Sequence, residues 1–155
     1  MSRKTLSRGL LLFWSSWFSL VFASNVADGL HHAGLLPAEW HFASGNLSLI
    51  RQTMEIYSSR MLWPGILFAA VVLVQFGTTV LFWRAFVDGS SVVEPDDRKV
   101  LEAFSPAIGL FAGFLVADEV LIVYERIPGI ATSHLLILCG LLLSYVVIYL
   151  HRQAR

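Results

Sequence analysis

Two carboxylates stand side by side, Asp118 and Glu119, inside an otherwise apolar stretch that runs from Pro106 to about Glu125. A carboxylate within the hydrocarbon of a membrane costs several kcal/mol unless it is paired, protonated or wetted, so such residues are functional candidates. Counted from Pro106 at about 1.5 Å per residue, the pair lies about 18 Å along a helix, in the outer half of a membrane and not at its edge. Other segments bring matching groups. Asn25, Asp28, His31 and His32 close the first apolar run. Asn25, Asp28 and His32, at i, i+3 and i+7, share one helix face. His134 stands about one turn into the last run, and His41 lies in a loop within reach.

If the helices run antiparallel in chain order, Asp28, His32, Glu119 and His134 fall at similar depths. Two histidines and two carboxylates suit zinc or iron. Two histidines alone suit a haem between the first and last helices. The Glu-x-x-His spacing of metal-carrying helical bundles is absent. A structural reading is equally open: Glu119 pairs with Arg126 two turns on, and Asp118 hydrogen-bonds a neighbouring helix. A proton- or ion-responsive cluster is a third. The candidate polar cluster is thus Asn25, Asp28, His31, His32, Asp118, Glu119 and His134, with no cofactor assigned. No nucleophile elbow, glycine-rich phosphate loop or HExxH is present, so the reading leans away from an enzyme. The lone Cys139 excludes an internal disulfide and a cysteine-cluster metal site. Zero net charge gives nothing to attract nucleic acid.

These residues must be positioned by membrane-spanning helices. Of 155 residues, 56% are hydrophobic and 14% charged, where a soluble domain carries about 25% charged residues. The mean hydropathy is +0.68. Four apolar runs, about 9–28, 62–86, 106–125 and 130–150, each have roughly the 20 residues that cross a bilayer core. In lipid every backbone polar group must be satisfied within its segment, so the runs are helices. The expected architecture is all-α: one domain, a polytopic four-transmembrane-helix bundle. Ser105 and Pro106 read as the cap and first turn of the third helix, Pro64 as the first turn of the second, and Pro128-Gly129 as a tight turn. The outer loop, 29–61, carries an amphipathic helix from Asn46 to Met61, capped by Asn46, with Leu47, Ile50, Met54, Tyr57 and Met61 on its apolar face. In the inner loop, 87–105, Pro95-Asp96-Asp97 starts a short helix reaching toward Phe104. Asn46-Leu47-Ser48 fits the glycosylation pattern, a motif common by chance.

Orientation follows from Lys and Arg. With both termini in the cytoplasm, eight lie inside (Arg3, Lys4, Arg8, Arg84, Arg98, Lys99, Arg152, Arg155) against three outside (Arg51, Arg60, Arg126). The expected location is the inner (plasma) membrane. Trp14, Trp83 and Tyr149 mark the inner interface, and Trp40, Trp63, Tyr57 and Tyr124 the outer one. Arg3, Lys4 and Arg8 ahead of an apolar stretch ending Val21-Phe22-Ala23 also resemble a signal peptide. Two tryptophans and three serines make a poor signal core, so the run is read as a retained helix.

Gly109, Gly113 and Ala117 form a small-residue row that lets another helix approach, and Gly140 with Ser144, and Ser15 with Ser19, offer the same spacing. The carboxylates lie away from the Gly113 row, which makes this third helix the most enclosed. With Asn25 and Asp28 closing the first helix, a long outer loop, Gln75 within the second helix and an acidic motif late in the third, the chain resembles a bacterial family of small integral membrane proteins of unknown function. That family's pattern has Glu in the second helix and Gly-Gly-Glu-Trp in the third; here the positions read Gln75 and Ala117-Asp118-Glu119-Val120, with Glu119 in the place of the family's glutamate. The resemblance implies no activity. The expected function is a non-enzymatic accessory subunit or small-ligand binder with a polar pocket in the outer half. A metal- or haem-binding redox component and an oligomeric proton-coupled transporter are the alternatives. Expected partners are the lipid bilayer and a homo-oligomer or larger membrane complex.

Overall fold

The computed structural model describes residues 3–37, 39–55, 63–88, 96–123 and 127–153, with the side chains of 3, 4 and 152 excepted. Five helices follow in order among them: α1 (Arg3–His32), α2 (Asn46–Met54), α3 (Trp63–Asp88), α4 (Asp97–Val120) and α5 (Ile130–Gln153). All but α2 are long and apolar enough to cross a membrane, so the chain is an all-α, multi-pass membrane protein. α1 packs against α3, α3 against α4 and α4 against α5, while α5 closes only lightly on α1. α2 lies across α3 and α1 at one end of the bundle, called here the α2 end. The two chain termini share the opposite end.

Each long helix turns one seam inward, at alternating steps of four and three. In α1 the seam is Ser7, Leu11, Trp14, Phe18, Val21, Asn25 and Asp28; in α3 it is Pro64, Phe68, Val71, Gln75, Thr78, Phe82 and Ala85. In α4 it is Val100, Phe104, Ala107, Phe111, Phe114 and Asp118; in α5 it is His134, Ile137, Leu141, Ser144 and Ile148. All of these are buried or half-buried. A 3.5-residue repeat is the signature of helices packed at a shallow crossing angle. The outward faces are apolar, with Phe13, Leu20, Leu73, Val116, Leu136 and Leu143 all exposed.

The terminal half is filled with aromatic rings. Phe18 stacks on Phe82 at 5.3 Å, and Phe82 meets Phe104 edge-on at 5.0 Å. Trp14, placed at the membrane interface by its sequence position, is instead buried here, 5% exposed. Its ring lies 3.5 Å from where a Cβ on Gly140 would sit, and its Nε1 donates to Ser144 Oγ at 3.0 Å. Gly140 thus makes room for a tryptophan, not for a helix backbone. Several other hydroxyls of the spans turn back on their own helices: Ser15 Oγ donates to the Leu11 carbonyl at 2.7 Å and Thr78 Oγ1 to the Val74 carbonyl at 2.8 Å.

Three expected boundaries move. Pro106 lies inside α4, which starts at Asp97 behind the Asp96 cap, whose carboxylate accepts from Arg98 N at 3.0 Å. The short inner-loop helix and the third span are one element, because the apolar seam runs unbroken from Val100 to Phe111 and outweighs the single donor that proline lacks. Lys99 pairs with Asp88 and ties the start of α4 to the end of α3. The far end of α4 is Val120, not Glu125; Ile122 beyond it has φ 49°, left-handed backbone that a β-branched residue rarely adopts. Gly129, φ 90°, supplies the turn into α5. The expected Asn46–Met61 helix is described as far as Met54, and Tyr57, Tyr124 and Arg126 lie outside the described residues.

Trp14 gives the first test. Trp14→Ala removes a large packed ring and should cost about 3–5 kcal/mol, whereas Ser144→Ala removes one hydrogen bond and should cost about 1 kcal/mol. Thermal unfolding in detergent should show the first midpoint falling several times further than the second.

Candidate functional site

The seams carry aromatic and aliphatic residues through the terminal half and polar ones at the α2 end. Asn25, Asp28, Gln75 and Asp118 are 1%, 2%, 3% and 4% exposed. Groups so buried need partners within the protein, since an unpaired one costs about 1–3 kcal/mol.

Asp28 finds its partners in the segment that enters α2. Its Oδ2 accepts from Ser44 Oγ at 3.1 Å and from Leu47 N at 2.9 Å. Asn46 N donates to Ser44 Oγ at 3.2 Å, and Ser44 N donates to the Ser24 carbonyl at 3.1 Å. The N-cap of α2 is therefore Gly45, φ 73°, which has no side chain to cap with, and not Asn46. The capping carboxylate comes from α1, and its charge meets the positive end of the α2 dipole. His32 completes this knot. Its Nδ1 lies 3.0 Å from the Asp28 carbonyl and 3.2 Å from Asp28 Oδ1, both acceptors, so Nδ1 donates. Its Nε2 meets Ser48 Oγ at 3.1 Å. Both ring nitrogens are thus engaged, and neither is left for a metal or a haem. His31 contributes only a ring contact with His32, with centroids 6.2 Å apart.

Asn25, one turn deeper, joins a chain of amides. Asn46 Nδ2 donates to Asn25 Oδ1 at 2.8 Å, and Asn25 Nδ2 donates to Gln75 Oε1 at 2.7 Å. The chain ends on Gln75 Nε2, which has no partner among the described residues.

On α4 and α5, Asp118 Oδ2 and His134 Nδ1 stand 2.7 Å apart. Phe114 covers the imidazole with its ring centroid 4.9 Å away. Asp118 Oδ1 and His134 Nε2 have no protein partner among the described residues. Glu119 is off the seam and exposed. Because α4 starts at Asp97, both carboxylates sit in its last turn, about 32 Å along it. Asp118 is buried because the seam turns it inward, while Glu119 faces out of the bundle.

Between these two polar walls lies a cavity of about 540 Å³. Trp17 and Phe111, ring centroids 5.8 Å apart, stand between it and the aromatic core. Leu49, Ile50 and Thr53 of α2, Phe68 and Val71 of α3, and Ile130 and Ile137 of α5 line its sides. Gly109, Gly113 and Ala117 also line it, and a Cβ at Gly109 or Gly113 would meet nothing within 4 Å. The small-residue row therefore leaves a hollow instead of admitting another helix, and α1, not α4, is the most enclosed span.

Of the seven candidate residues, Asn25, Asp118 and His134 line the cavity; Asp28 and His32 tie down the α2 segment. The structure does not bring Asp28, His32, Glu119 and His134 together. Among the described residues no three His, Cys, Asp or Glu side chains converge to hold a metal ion. Gln75 and Asn46 belong to the site as well, although the sequence marked Gln75 only as a polar position within the second helix and Asn46 only as a helix cap and part of a glycosylation pattern. Gln75 keeps the four-three spacing of α3's apolar residues, and that register could have marked it as inward. No family model, curated protein or solved structure matches the chain.

Asp28→Ala should release the α2 segment while the bundle persists. Trypsin cleavage after the exposed Arg51 should speed up markedly in Asp28→Ala, less in Asp28→Asn, which keeps one acceptor, and not at all in Asp118→Ala. Equal cleavage in Asp28→Ala and the parent would contradict the capping role.

Proposed function

We propose that the protein is a non-enzymatic membrane protein that holds a small ligand in the chamber at the α2 end. The observation that supports this is the chamber itself. At about 540 Å³ it falls in the range of ligand pockets, about 300–1,000 Å³, and like them it has apolar walls with a few convergent polar groups. The polar atoms left over there, on Gln75, Asp118 and His134, have no partner among the described residues. The Lys and Arg distribution along the sequence, eight in the terminal and inner-loop segments against three in the two outer ones, favours cytoplasmic termini and a chamber in the outer leaflet of the plasma membrane.

Gly113→Leu tests the reading. The added side chain enters open space, and replacing a helical glycine is expected to stabilise by up to about 1 kcal/mol. Native mass spectrometry of the detergent-solubilised parent should retain a one-per-chain adduct, and a folded Gly113→Leu should lose it. A parent free of adduct, or a variant that keeps the same one, would remove the proposal. For the orientation, a C-terminal green fluorescent protein fusion should fluoresce and a C-terminal alkaline phosphatase fusion should stay inactive; the reverse pattern would invert the topology.

A further inference from the structure

The chamber's polar atoms specify more than size, and the inference that follows rests on the binding reading above. Among the described residues no Lys or Arg lines the cavity, so none of them offers a cation to a phosphate or carboxylate head. Asp118 already has a partner in His134 at 2.7 Å, so a cationic head would compete with an existing contact. A charge brought into apolar surroundings without a counter-charge is strongly penalised. The ligand that fits carries no net charge.

Its polar pattern can be read from the free atoms. Beyond their mutual contact, Asp118 Oδ1 is an acceptor and His134 Nε2 a donor or an acceptor according to its tautomer. A hydroxyl, which donates and accepts at once, matches that pair. Across the chamber Gln75 Nε2–H is a donor without a partner among the described residues, held in direction by the amide chain from Asn46 through Asn25. An acceptor-only group, a carbonyl oxygen, matches it. Between the two walls the lining is aromatic and aliphatic, with Trp17, Phe68, Phe111 and Phe114 in it. We propose that the chamber takes an uncharged lipid bearing both a hydroxyl and a carbonyl, of the acylglycerol type, with the hydroxyl on Asp118 and His134 and the carbonyl on Gln75.

The experiment compares probes of one acyl chain and different heads. Full-length protein in detergent is titrated with monooleoylglycerol, oleate, oleylamine and lyso-oleoylphosphatidylcholine, and bound ligand is counted by native mass spectrometry. Monooleoylglycerol should saturate at one per chain and bind about tenfold or more tighter than the charged or zwitterionic probes. Gln75→Leu and Asp118→Asn should each weaken it by up to about tenfold, the worth of one hydrogen bond, while oleate binding stays unchanged. Gln75→Glu, which keeps the shape but replaces the donor with a carboxylate, controls for packing and should weaken monooleoylglycerol at least as much as Gln75→Leu. Equal binding of all four probes, preference for a charged head, or indifference to both Gln75 variants would overturn the assignment. If a charged probe wins and Gly113→Leu abolishes it, the head-group inference fails while the chamber's binding role stands. If Gly113→Leu leaves every probe unaffected, the binding role fails as well.

Discussion

A buried carboxylate or amide on an inward seam of this bundle has to find a partner on another element, because neither an aromatic core nor a lipid surround supplies one. The α2 end is organised by that requirement. Asp28, 2% exposed, is satisfied by His32 on its own helix and by residues 44–47, which fold back onto α1 and present a hydroxyl and a backbone N–H to its carboxylate. In return α2 receives the N-terminal cap that Gly45 cannot give. Asn25 and Gln75 answer the same demand between α1 and α3, and Asp118 and His134 answer it between α4 and α5. The three pairings join the elements around the chamber two at a time and leave its centre clear.

The bundle is thus packed at one end and hollow at the other. In the terminal half, Phe18, Phe82, Phe104 and Trp14 fill the seams, and dispersion among close-packed rings holds the helices together. Toward the α2 end the filling changes. α4 presents Gly109, Gly113 and Ala117 there, and the polar pairs hold the walls at fixed separations. Hydrogen-bonded pairs are directional and specify distance, where apolar contacts would collapse inward. That difference is the physical reason a cavity can persist beside a dense core.

The four spans were legible because lipid demands about 20 apolar residues and internal backbone bonding, a signal that survives without any knowledge of neighbours. Asn25, Asp28, Asp118 and His134 were legible as unusual for the same reason. Helix ends were less so. Ser105-Pro106 carries a strong local start signal, yet the seam through Val100, Phe104 and Ala107 gains more by burial than the proline loses, and burial is decided by the neighbouring helices.

What the residues alone determined is the class: an all-helical membrane bundle with polar groups gathered near the end of α1, the end of α4 and the start of α5. Tertiary structure decided which of those groups meet. Adjacent residues Asp118 and Glu119 differ by about 100° around the helix, and only the position of α5 makes one buried and the other exposed. Composition cannot say whether a glycine row meets a backbone or a void, because both require the same missing side chain. The answer lies in how far α1 stands from it, held there by Asn25 on Gln75 and by Trp14 against Gly140.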